Sequence, residues 1–217
     1  MNKKRNFIIC IVLDFLFIIF TILVKTIDVK QIGPQYSFIG FATINQIIFK
    51  TTGTNIIWYY ITDWLGILPV IIAISYALIG IFQLIKRKSL FKVDKEIICL
   101  GFFYIVLIGL YVFFENVIIN YRPILINGVL EASYPSSHTI MAIFLCGSSI
   151  IVNKKLYKNR FTKTINVFSL AIIIITIVGR LISGVHWFTD ILGGMLLSSA
   201  LITTFYFTIQ NIQKDNS

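Results

Sequence analysis

The chain has 217 residues, 57% of them hydrophobic and 13% charged, and its mean hydropathy is +0.87. Soluble domains carry about 25% charged residues, so a water-soluble globular domain is excluded and one membrane domain is expected. A formal net charge of +10 suits nucleic acid at first sight, but the cations collect mainly at the junctions between apolar runs, which argues for no nucleic-acid partner.

Six apolar runs follow in chain order. Residues 7–24 carry one charge, Asp14; 65–85 and 97–114 carry none; 136–152 is shorter but continuous; 164–178 is rich in isoleucine; 191–209 comes last. A hydrocarbon core of ~30 Å takes about 20 helical residues. The expected fold is therefore all-α: a polytopic membrane protein with six transmembrane helices in a bundle, forming one domain over residues 1–217. The basic start and first run resemble a signal peptide, but the run is long and residues 25–30 offer no small-residue cleavage site, so it reads as an anchor helix. Asp14, midway along it, reads as a protonated or hydrogen-bonded structural residue. In the long connection that follows, the spacing of Phe41, Ile44 and Ile48 predicts a short interfacial helix between the first two spans. Trp58, Tyr59, Tyr60 and Trp64 read as an aromatic belt, with Asp63 a simple interfacial residue. The residues after Gln210 read as a short frayed tail. Cys10, Cys99 and Cys146 each lie in an apolar run, without metal-ligand or disulfide spacing, and read as packing residues.

The cations set an orientation. Lys3, Lys4 and Arg5 precede the first run; five more lie at 86–95, between the second and third; Lys154, Lys155, Lys158, Arg160 and Lys163 lie between the fourth and fifth. The opposite side has Lys25, Lys30, Lys50, Arg122 and Arg180. By the positive-inside rule both termini are cytoplasmic, in a cell membrane whose anionic lipid attracts the basic loops.

Three polar clusters then fall on the extracytoplasmic side: Arg122-Pro123, Pro135-Ser136-Ser137-His138, and Arg180 with His186 and Asp190. The chain has two histidines, and both are here. Proline suits the first position of a helix, so Ser136 and Ser137 are expected to present free N–H groups at a helix N-terminus, an anion site. His138, on the same turn, is placed to give a proton to a leaving oxygen. His186 and Asp190, four apart, share a face if helical, where a carboxylate fixes the imidazole tautomer. Arg122 and Arg180 offer planar forks for phosphate oxygens. Ionisable groups are scarce in this chain, and their clustering near a membrane marks a site.

These clusters resemble the signature of the type-2 phosphatidic acid phosphatase (PAP2) superfamily, which includes the vanadium haloperoxidases: K-x6-R-P, then P-S-G-H, then S-R-x5-H-x3-D. Arg122-Pro123 match the end of the first motif, Pro135 to His138 the second, and Arg180, His186 and Asp190 the third. Three positions depart: Glu115 stands where the motif has lysine, Ser137 where it has glycine, and Gly179 where it has serine. Glu115 either pairs with Arg122 or Arg180, or the pocket takes a different polar group, or activity is weak.

The resemblance implies a membrane lipid phosphatase that needs no metal and no cofactor. His186 is the expected nucleophile, forming a phosphohistidine; Asp190 orients it; His138 is acid and then base; Arg122, Arg180, Ser136 and Ser137 hold the phosphate. The partner is a membrane lipid, a phosphate or diphosphate such as phosphatidate, phosphatidylglycerol phosphate or, in a bacterial plasma membrane, undecaprenyl diphosphate. Transfer to a lipid or sugar acceptor, or headgroup binding or transport without catalysis, are the alternatives. The sequence is silent on oligomeric state.

Overall fold

Helices dominate because a chain this apolar has to satisfy its backbone internally. The structure, a computed structural model, describes residues 3–157 and 159–214; Lys158, one of the cations used for orientation, lies outside them. The helices are α1 (Lys3–Thr26), α2 (Ala42–Thr52), α3 (Ile56–Leu65), α4 (Ile67–Arg87), α5 (Lys95–Asn116), α6 (Ser137–Leu156), α7 (Arg160–Ser183) and α8 (Phe188–Lys214). Between α1 and α2 a two-stranded antiparallel ribbon pairs Lys30 with Ile39 and Gln31 with Phe38.

Among the described residues six stretches are long and apolar enough to cross a membrane: Lys4–Thr26, Ile56–Arg87, Lys95–Asn116, Ser137–Leu156, Arg160–Ser183 and Phe188–Ile212. The all-α, six-span architecture expected from the sequence is the one observed. Most helices run past their apolar stretches into polar flanks, because backbone bonding continues until a capping residue ends it. The tail expected after Gln210 is helical to Lys214, with Ile212 packed against the core.

The short fourth run has a physical cause. Helix α6 packs against α4, α5, α7 and α8, so it faces protein where the others face outward. Its buried face includes Thr139, Ser148, Ser149 and Asn153. Small and hydroxyl residues let helices approach closely and bond across the gap; the Tyr76 hydroxyl donates to Asn153 Oδ1 at 2.7 Å. Around it, Phe103, Phe144 and Phe205 pack with ring centroids 5.5–6.3 Å apart. The three cysteines are buried and unpaired, as their positions suggested.

Other details differ from the sequence reading. Asp14 lies on the outer surface of α1. The aromatic stretch is itself a helix, α3, which begins where Asn55 Oδ1 accepts the backbone N–H groups of Ile57 (3.1 Å) and Trp58 (3.2 Å), a favourable N-cap. Tyr60 and Trp64 stay exposed, while Trp58 and Tyr59 are half-buried. The expected helix α2 is present, but the residues it buries are Ala42 and Asn45. At its start Asp28 Oδ2 accepts Thr43 N–H at 2.6 Å. The bond to Lys30, and then those to Thr43, hold the Asp28 carboxyl at about 2.

Asn45 is fully buried and ties α2 to the start of α8. Its Nδ2 donates to Gly40 O and to Thr189 Oγ1, both at 2.9 Å, and its Oδ1 accepts Thr189 N–H at 3.2 Å. Asn45→Ala strands these groups without water. The expected loss is about 1–3 kcal/mol, read as a lower Tm in detergent, with faster hydrogen exchange at the Thr189 amide. An unchanged Tm and exchange rate would contradict the assignment.

Candidate active site

Three segments distant in sequence meet at one end of the bundle. The first is the loop between α5 and α6, folded back on itself: Arg122 N–H donates to Glu131 O at 3.0 Å and Ser133 N–H to Asn120 O at 2.9 Å. This backbone pairing brings Arg122 alongside Glu131, with Arg122 Nε 2.9 Å from Glu131 Oε2. The second is the start of α6. Tyr134–Pro135 is a cis peptide and α6 begins at Ser137, so Pro135 stands outside the helix and not at its first position. Ser136 N–H is not free: it donates to Asp190 O at 3.0 Å. The Ser136 hydroxyl is buried and accepts from Thr139 Oγ1 at 3.1 Å. The exposed donors of this turn therefore start at Ser137.

The third is the turn from α7 into α8. Gly184, with φ +67°, closes α7, a conformation that suits glycine. His186 lies in the turn and Asp190 in the first turn of α8, so the pair does not share a helical face. Asp190 Oδ2 accepts Trp187 N–H at 2.9 Å and Oδ1 accepts from Asn120 Nδ2 at 3.3 Å. It stands 3.7 Å from His186 Nδ1, beyond hydrogen-bond range. The group that orients the ring is a backbone carbonyl: Nδ1–H donates to Ser133 O at 3.1 Å. Burial, and then the charges of Arg122, Arg180 and His138, hold the His186 imidazole well below its ordinary value. With Nδ1 donating and the ring neutral, Nε2 carries the lone pair. Nε2 is buried with no hydrogen-bond partner, as is Arg122 Nη1.

His138 is held at both nitrogens. Arg180 Nη2 lies 2.8 Å from Nδ1, and Asp63 Oδ1 lies 3.2 Å from Nε2. A guanidinium can only donate, so Nδ1 accepts and Nε2–H donates to Asp63. Arg180 is fully buried. Its Nη1 donates to Thr62 Oγ1 at 3.2 Å and its guanidinium carbon lies 5.4 Å from the Tyr59 ring centre, within cation–π range.

A cavity of about 540 Å3 runs from the two histidines between apolar side chains, several of them exposed on the helix surface. His138, His186, Arg122, Ser137 and Glu115 line one part of it, and Val70, Ile74, Ile108, Phe114 and Met141 are among the apolar residues of its wall. Both histidines thus line one space. Arg180, Ser136 and Asp190 are not among the residues of its wall, but Arg180 and Asp190 lie next to His138 and His186, which are. Glu115 is on the wall, and neither arginine pairs with it: Arg122 is engaged by Glu131 and Arg180 by Thr62 and His138. Guanidinium, imidazole and hydroxyl groups are donors of the kind that anions are bound by. Among the described residues no group of three His, Cys, Asp or Glu is placed to hold a metal ion.

The sequence profile of the PAP2 superfamily matches residues 64–214. The chain belongs to the PAP2 superfamily. In fold it is similar to the transmembrane PAP2 type phosphatidylglycerolphosphate phosphatase from Bacillus subtilis, with a TM-score of 0.60 and 18% identity over 96% of this chain and 97% of that one. No curated protein matches the chain at a significant level. Family and fold make it a multi-pass membrane protein of the PAP2 phosphatase type.

Sequence reasoning missed α3. Thr62 and Asp63, which fix Arg180 and His138, lie just outside the family match. The available signal was the Asn55 cap followed by Tyr59, Thr62 and Asp63 at helical spacing. The same contact explains one departure from the family pattern. A Cβ on Gly179 would meet Thr62 Cγ2 at 2.4 Å and Trp58 Cε3 at 3.0 Å, so α3 can lie this close to α7 only over a glycine. Gly179→Ser, which restores the family residue, is expected to push α3 away, costing about 1–3 kcal/mol of stability by overpacking and lowering turnover. A serine variant with wild-type Tm and turnover would show that α3 does not need this approach.

Proposed function

We propose that this PAP2 protein hydrolyses a lipid phosphate or diphosphate through a phosphohistidine on His186, on the extracytoplasmic side of a cell membrane. The observation that carries this reading is the neutral, buried His186, whose unpartnered Nε2 belongs to a cavity shared with His138 and a guanidinium. Such a nitrogen is a nucleophile that needs no base to remove a proton first.

In the first step Nε2 attacks phosphorus, the bond to the lipid oxygen breaks, and His138 supplies the proton that oxygen needs. In the second, His138 removes a proton from water as the water oxygen displaces the imidazole. The Ser133 carbonyl keeps Nδ1–H in place, and Asp190, at 3.7 Å, stabilises the positive ring by charge. Arg122 Nη1 and Ser137 are donors for the equatorial oxygens, and Arg180 borders the site beside His138. Phosphoryl transfer requires mainly positioning and charge stabilisation.

The apolar wall supports a lipid substrate, whose chains would lie along it while the phosphate reaches the histidines. Phosphatidylglycerol phosphate, the substrate class in the name of the Bacillus subtilis relative, joins phosphatidate and undecaprenyl diphosphate as the set to assay. Purified protein is expected to release phosphate from at least one of these lipids, and His186→Ala to lose that activity by at least roughly 10³-fold. Because the folded environment lowers the His186 pKa, the nucleophile stays unprotonated as pH falls through the ordinary value of about 6.5. The acid limb of kcat/KM assigned to it is therefore expected below that pH. Wild-type turnover in His186→Ala would refute the nucleophile assignment.

A further inference from the structure

His138 as observed cannot exchange a proton with a substrate. Its Nδ1 accepts from Arg180 at 2.8 Å and its Nε2–H is directed at Asp63 at 3.2 Å. Yet the reading above, on which this inference rests, asks the same ring to donate a proton to a leaving oxygen. A neutral imidazole is too weak an acid for that, so the ring must first become imidazolium. Nδ1 cannot take a proton while a guanidinium N–H points at it, since two donors would then face each other.

We propose that Asp63 is a positioning residue that fixes His138 with Nε2–H toward the carboxylate and Nδ1 as the proton-exchanging nitrogen, which Arg180 masks until a phosphate draws the guanidinium away. Arg180 has the means to respond, because its Nε is buried with no hydrogen-bond partner and a phosphate dianion is a stronger acceptor than a neutral imidazole. Once unmasked, Nδ1 takes a proton from solvent, and the Asp63 carboxylate stabilises the resulting positive ring. That proton passes to the lipid oxygen as the P–O bond breaks and the bond from His186 Nε2 to phosphorus forms. Water then returns one proton to Nδ1 as its oxygen displaces His186. When phosphate leaves, the proton goes to solvent and Arg180 closes again.

The charged and titratable groups around His138 fit this cycle. Asp63 faces it from α3 and Arg180 from α7. Arg122, Glu115 and His186 line the same cavity. Of these, Asp63 is the acid in direct contact with the ring. The site of that contact is packed tightly: a Cβ on Gly66 would meet His138 Cδ2 at 3.0 Å. Gly66, just after α3, thus lies close against the carbon edge of the ring.

Two histidines in the whole chain make the test direct. Protein labelled with 15N-histidine, with H186Q used for assignment, reports the protonation of each His138 nitrogen. The wild type is expected to show His138 neutral and protonated at Nε2, and to show both nitrogens protonated when inorganic phosphate or vanadate is added. D63N is expected to lose the single tautomer and the proton uptake. Its kcat should fall about tenfold or more, within the roughly 10²–10⁴-fold that acid–base catalysis supplies, with KM within about twofold. The alkaline limb of its kcat profile should move to lower pH, because the charged ring has lost its counter-ion; D63E should restore part of both. Unchanged His186 signals in D63N certify that the site is folded. His138 signals identical in wild type and D63N, or an unmoved alkaline limb, would overturn the assignment. If the wild type releases no phosphate from any lipid while the tautomer differs as stated, the hydrolase reading fails and the role of Asp63 stands. An active wild type with an indifferent D63N removes only the role of Asp63.

Discussion

A fully buried guanidinium organises this protein. Removing an arginine from water is costly unless its donors are met and its charge is compensated. Arg180 meets these terms with Thr62 and the Tyr59 ring on α3 and with His138 on α6. Three helices are thereby tied to one planar group. The geometry of His138, and through it the proton chemistry of the cavity, depends on where this cation is held. The compensation is incomplete, since Nε stays unpartnered.

The two histidines are prepared in opposite ways. His186 has its Nδ1–H bound to a backbone carbonyl and its Nε2 left bare. A carbonyl cannot take the proton, so it fixes the tautomer without changing the ring's charge. His138 is bonded at both nitrogens to groups of full and opposite charge, so its state responds to any movement of either. In the proposed two-step displacement, the fixed imidazole would be the nucleophile and the responsive one the acid. Asp190 serves the first by shaping the turn: it binds the N–H of Trp187 and the amide of Asn120, and so sets where His186 enters the cavity.

The six spans could be read from apolarity alone, since a run of sufficient length without charge has few other uses. The weakest run, 136–152, was weak because α6 is enclosed by protein and bonds across to Tyr76 through Asn153, where a lipid-facing helix would carry more leucine and isoleucine. The site clusters were legible as types and spacings. Their local structure was not: the four-residue interval from His186 to Asp190 spans a turn entering a helix, and no periodicity distinguishes that from one helical face. Helix α3 was hidden by its aromatics. Trp58, Tyr59, Tyr60 and Trp64 have the composition of a membrane-interface belt, and half of them do remain exposed. That Tyr59 turns inward to meet a cation is a tertiary fact, visible only once α7 is in place.

The departure at position 179 gains a meaning from the same contact. In the family pattern a serine precedes the arginine of the third motif; here Gly179 precedes Arg180, and its missing side chain is the space into which Thr62 and Trp58 fit. The serine hydroxyl is absent, and in its place α3 approaches closely enough to supply the Thr62 hydroxyl to Arg180 and the Asp63 carboxylate to His138. Arg180 thus donates to a hydroxyl from another helix, while the hydroxyl next to it in sequence is gone. Glu115, where the pattern has lysine, extends this logic across the cavity. The lysine of the pattern would add a cation at the phosphate, whereas here Glu115 adds an acid to the wall and Glu131 takes up Arg122. Arg180 differs from Arg122 in being held by a hydroxyl and an imidazole and, among the described residues, by no carboxylate.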